Sequence, residues 1–97
     1  ALSSRETMLV VDFIGNLLAT RIGKNPGAAK GMLLLAVQNW QEMSGKVAIN
    51  FLDFKAVIST ELKSRLAGAG VLGPEKVVED LLAEITRNQY MIMMMIV

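Results

Sequence analysis

The chain has 97 residues, ten basic and nine acidic, a formal net charge of +1, and neither Cys nor His. Disulfide staples are thereby excluded, as are zinc sets built on Cys and His, haem ligation through His and imidazole acid–base catalysis. Hydrophobic residues make up 53% even without Gly and charged ones 20%, against roughly 45–50% with Gly and 25% in an average soluble domain, so the surplus belongs in a large core, an interface, a ligand cavity or a membrane-facing surface.

Ser3 and Glu6 have the spacing of a capping box, in which each side chain satisfies an orphan amide at a helix start. Behind them Val10, Val11, Phe13, Ile14, Leu17 and Leu18 cover a wide arc, with Asp12, Asn16 and Thr20 on the narrow remainder. This predicts a helix over 4–22, buried around more than half its circumference. Arg21 projects toward that arc and is the candidate for a buried or interfacial charge.

Gly23 suits a left-handed C-cap, Asn25 an N-cap and Pro26 the first turn of a second helix over 26–43. Its main apolar face is Met32, Leu33, Ala36, Val37, Trp40 and Met43, while Leu34 and Leu35 point elsewhere. A helix apolar on more than one side belongs at the centre of the packing. Residues 46–49 are extended or irregular and too few to assign.

Asn50 and Asp53 repeat the cap spacing. Phe51, Phe54, Ile58, Leu62 and Leu66 then form a clean stripe for a third helix over 51–67. Gly68 to Gly73 is a glycine-rich joint, and Pro74 opens a fourth helix with Val77, Val78, Leu81, Leu82 and Ile85 inward. Asn88 and Gln89 interrupt this stripe, with Asn88 suited to a left-handed cap. Helices of similar length joined by short turns favour antiparallel neighbours, so the expected architecture is a single all-α domain over 1–97, a compact four-helix arrangement.

Residues 88–97 end in Tyr90-Met91-Ile92-Met93-Met94-Met95-Ile96-Val97, without a charge. Two readings stay open for this tail. As a continued helix it is apolar all round and has to be covered. As a strand, favoured by Tyr, Ile and Val, it has residues 46–49 as a candidate partner. The helix is preferred because the preceding segment is helical.

No catalytic constellation is visible. Ser44 and Lys46, or Lys63 and Ser64, are sequence neighbours that do not face each other on a helix. Glu75, Glu79 and Asp80 at the start of the fourth helix are what the helix dipole favours, and a di-metal bundle needs the absent His. No catalytic, metal or cofactor residue is therefore named. Ile49 to Phe54 resembles the end of an EF-hand loop, but Glu42 to Val47 lacks the acidic ligands and central Gly in register. Leu66 to Gly70 resembles the hairpin of a helix-hairpin-helix module, although the residues before Pro74 spoil its spacing.

The expected function is a non-enzymatic protein–protein interaction module, a homo-oligomer such as a dimer, or a binder of another protein. Its contact residues are Leu34, Leu35, Tyr90, Met91, Ile92, Met94, Met95 and Ile96, with methionine suited to irregular grooves. The alternative is a small helical nucleic-acid-binding domain with Lys55, Lys63, Arg65 and Lys76 on phosphates, for which a near-neutral chain is a poor start. No apolar run approaches the ~20 residues of a membrane span. The first residues lack a signal-peptide pattern, which leans toward an intracellular location.

Overall fold

The computed structural model describes residues 3–95, with the side chains of Ile92, Met93 and Met95 left aside. The predicted caps are where the helices begin. In α1 (Ser4–Ile22) the Glu6 amide donates to Ser3 Oγ at 3.1 Å and the Ser3 amide to Glu6 Oε1 at 3.2 Å. α2 (Pro26–Ser44) starts behind Asn25, whose Oδ1 accepts from the Ala28 amide at 2.8 Å. α3 spans 51–68 behind the reciprocal Asn50–Asp53 box. α4 (Pro74–Arg87) follows Gly73, and a short α5 (Gln89–Met95) carries the tail. The fold is all-α, and no strand occurs among the described residues. The tail is thus helical over its described length, and 46–49 is irregular rather than its strand partner.

Two local expectations are corrected. Asn88 is not a left-handed cap: its backbone is at φ −102° and ψ 15°. Its side-chain amide instead donates to the Glu84 carbonyl at 2.8 Å, alongside the Asn88 backbone amide at 3.0 Å, so the last turn closes without a left-handed residue. Met43 does not face inward. It is 78% exposed, because the last turn of α2 runs past the elements that cover the rest of the helix.

α3 holds a feature that its stripe implies in hindsight. Phe54, Ile58, Leu62 and Leu66 are spaced four apart three times over, and all are buried. Four residues overshoot an α-helical turn by about 40°, so three steps drift by about 120°. A π turn over Ile58–Leu62 widens the helix in mid-course and takes up part of that drift. Beside this turn the hydroxyl of Thr60 donates to the Ala56 carbonyl at 2.7 Å and that of Ser59 at 3.2 Å.

The core is made of Val10, Ile14 and Leu18 from α1, Leu33 and Val37 from α2, the α3 stripe, and Val78, Leu81 and Ile85 from α4. Ile49, from the irregular 46–49 segment, is buried with them. Among the described residues no charged or polar side chain is buried. Arg21 is therefore not a buried charge. It is half exposed and pairs with Asp80 of α4 at 3.1 Å, and Asp80 also takes Lys76 at 3.3 Å. Trp40 is half-buried at the core edge, with the Lys46 ammonium 5.8 Å from its ring centre. The total surface of 5512 Å² is about the 5500 Å² that mass scaling gives for a folded chain of this size. The apolar surplus therefore shows in what the surface is made of, not in its extent.

α1 and α2 form the most extensive helix pair. Their close approach is at Gly15, which is buried against Lys30. A methyl group there would sit 3.2 Å from Lys30 Cα and 3.3 Å from its Cβ, tighter than van der Waals contact. The Lys30 stem crosses Gly15 while its ammonium reaches Asp12 at 3.6 Å. Gly15→Ala adds about 1 kcal/mol of helix propensity but overpacks a contact whose neighbour is partly backbone, at a cost of about 1–3 kcal/mol. The net expectation is destabilisation by about 1 kcal/mol. Gly31→Ala, on the exposed side of α2 with nothing in reach of the new methyl, is expected to stabilise by up to about 1 kcal/mol. Urea unfolding midpoints that shift in opposite directions would verify the pair.

Candidate functional site

The four long helices alternate in direction, and side-chain contacts fix which ends meet. The Arg21–Asp80 pair sets the C-terminal end of α1 beside the first half of α4. Arg21, Ile22 and Lys24 share a surface depression with 69–72, so the α3–α4 joint lies at that end too. At the other end, Lys55 Nζ donates to Thr86 Oγ1 at 3.4 Å, which joins the start of α3 to the end of α4. The start of α1, the end of α2 and residues 47–49 meet around a cleft at that same end. α5 continues from α4 there, and we call it the tail end.

The exposed large apolar side chains are distributed unevenly between the two ends. Met8, Met43, Val47, Leu52, Tyr90, Met91 and Met94 all belong to the tail end. Leu35 lies part-way along α2, and Leu72 lies in the joint at the opposite end. Val47 is 94% exposed, Tyr90 86%, Met94 77% and Leu52 74%. Scattered exposed apolar residues are ordinary on any protein, but among the described residues seven of the nine large ones lie at one end of this small bundle.

Of the sequence-predicted contact residues, Tyr90, Met91 and Met94 are exposed on α5. Ile92 and Met95 lie in its backbone, and Ile96 falls outside the described residues. Leu34 is half-buried and lines the tail-end cleft, whereas Leu35 is half exposed away from it. The alternative basic set is not drawn together. Lys55, at the tail end, has its ammonium 5.6 Å from the Phe51 ring centre and donates to Thr86. Lys76 sits at the opposite end on Asp80. Lys63 and Arg65 are half-buried on the later part of α3, and Arg65 Nε is buried without a hydrogen-bond partner.

Met8, Met43, Val47 and Leu52 were not legible as site residues. Met43 fits the inward stripe of α2, and Met8, Val47 and Leu52 occupy a first helical turn, a joint and another first turn. The signal that they share is position: each lies within a turn or two of a cap, where a helix outruns its neighbours.

Irregular residues 46–49 are nonetheless pinned. Gln41 Nε2 donates to the Val47 carbonyl at 2.8 Å, the Lys46 amide donates to Ser44 Oγ at 3.3 Å, and Lys46 Nζ donates to Asp53 Oδ1 at 3.0 Å. Ile49 anchors the segment from below. The cleft that it borders has a volume of about 370 Å³. Val37 and Ile49 floor it, Leu34 lines one side, Met8 and Val47 stand at its lip, and Ser3, Ser4, Thr7, Gln38 and Gln41 give a polar rim. None of its lining residues is ionisable in the physiological range.

Among the described residues, no cluster of three or more acidic side chains is placed to hold a metal ion, and no helix is long and apolar enough to cross a membrane. No known protein family, curated protein or solved structure matches the chain.

Asp53 links the cap of α3 to the pinned segment. Its carboxyl is held below its ordinary value by the Asn50 backbone amide first, and then by the Lys46 ammonium. A depressed carboxyl stabilises the fold above its unfolded value, and that contribution is lost as pH falls through the folded one. Asp53→Asn, which keeps an acceptor for the cap but abolishes the charge, is expected to lower the urea midpoint at neutral pH and to flatten its fall below about pH 4. A midpoint series across that window, run for both chains, tests this.

Proposed function

We propose that this chain is a non-enzymatic protein–protein interaction module that associates with a second copy of itself through its tail end. The observation that carries this reading is the concentration of exposed apolar side chains there, with Tyr90 and Met94 on a helix that leans on α4. A seven-residue helix is far below the ~12–15 residues at which isolated helices become marginal in water. Tyr90, Met91 and Met94 on it are exposed, so their apolar surface is left to be covered.

Charge supports a copy of the same chain over a strongly charged partner. Arg5, Lys46, Lys55 and Arg87 at this end are balanced by Glu6, Glu42, Asp53 and Glu84. Lys46 with Asp53 and Arg87 with Glu84 are already paired within the chain. A surface of one sign repels its own copy when a two-fold axis brings it face to face, whereas a balanced one does not. Aromatic and methionine side chains are enriched at interface centres, and those are what this end exposes. A standard interface takes about 800 Å² from each partner, roughly one seventh of the surface here.

The test is solution mass. At high micromolar concentration the chain is expected to sediment at twice its 10.6 kDa. Removal of residues 90–97 is expected to return it to single-chain mass, with no more helical signal lost than those residues carry. A parent that stays a single chain at that concentration overturns the reading.

A further inference from the structure

We infer that the tail-end cleft is the receptor for α5 of the second copy, so that two chains exchange tails reciprocally. This rests on the self-association proposed above and adds what inserts where. The cleft and the tail are matched in chemistry. Among the described residues the cleft lining has no charged side chain, and residues 88–97 have none either. An anionic lipid, a nucleic acid or an acidic peptide would call for cations at the receptor, and this cleft offers amides, hydroxyls and aliphatic carbon. Its fitting occupant is an uncharged, flexible apolar side chain, and methionine adapts best to such a space.

The chain supplies one segment of that kind, and Tyr90, Met91 and Met94 on it are exposed. None of the described tail residues lines the cleft of its own chain. The cleft is also built before any occupant arrives: Gln41 and Asp53 pin 46–49, so its lip at Val47 stands 94% exposed on a held backbone. A preformed receptor spares the ordering cost of binding. Each copy carries this cleft and a tail at the same end, so reciprocal insertion closes at two chains.

The absence of Cys makes this testable by pair-specific cross-linking. Val47→Cys and Met94→Cys, both at exposed positions outside the core, are prepared separately, mixed, left to exchange subunits and treated with a flexible bis-maleimide. The expected result is a covalent dimer several-fold more abundant in the mixture than in either variant alone. A dimer of parent mass in which Met94→Cys links mainly to itself, or in which the mixture gains nothing over the single variants, overturns tail exchange while leaving self-association standing. A single-chain parent overturns both. In parallel, Gln38→Lys puts a cation on the exposed cleft rim and is expected to raise the dimer dissociation constant about tenfold or more. An unchanged constant counts against the cleft as receptor.

Discussion

The close approach of α1 and α2 at Gly15 is the constraint from which the rest of the arrangement follows. The absence of a side chain there lets the Lys30 backbone and stem lie against α1, and the two helices form the platform on which α3 and α4 bury their stripes. Toward the start of α1 and the end of α2 the described residues of the two helices line a cleft. The space between them is floored by Val37 and Ile49 and left open above, which is the cleft. Thus one glycine contact in the body of the bundle and one open seam at its end belong to the same packing problem.

The bundle is polarised. The end carrying the α1–α2 and α3–α4 joints is closed by the Arg21–Asp80–Lys76 cluster. Exposed ion pairs of this kind contribute at most about 1 kcal/mol each; their importance here is in orienting helix ends. The tail end is held by reciprocal caps, a pinned irregular segment and one lysine–threonine bond, and it leaves its apolar side chains to solvent. Lys46 with Asp53 and Arg87 with Glu84 are paired within the chain, and the exposed apolar side chains leave carbon to be buried at this end. That is the physical basis on which an association surface is proposed at the end that carries the tail and the cleft.

The π turn in α3 belongs to the same economy of packing. A stripe repeated every four residues does not stay on one side of an α-helix. The chain keeps Phe54, Ile58, Leu62 and Leu66 all in the core by widening the helix at Ile58–Leu62, where the Ser59 and Thr60 hydroxyls donate to the Ala56 carbonyl. Side-chain burial dictated the backbone geometry there.

What the sequence by itself determined is local. Ser3 with Glu6, Asn25 with Pro26, Asn50 with Asp53, and Gly23 and Gly73 at their joints mark helix boundaries through bonds that span four residues or fewer, and such bonds can be read without knowing the fold. The inward stripes of α1, α3 and α4 were legible for the same reason. Tertiary structure alone decided which helix ends meet, because that depends on contacts such as Lys55 with Thr86, thirty-one residues apart. It decided that Met43 faces water, that Arg21 pairs with Asp80 outside the core, and that Met8, Val47 and Leu52 are exposed at the same end as the tail. Composition announced an apolar excess; its place on the surface was set by where each helix outran its neighbours, and helical periodicity carries no record of that.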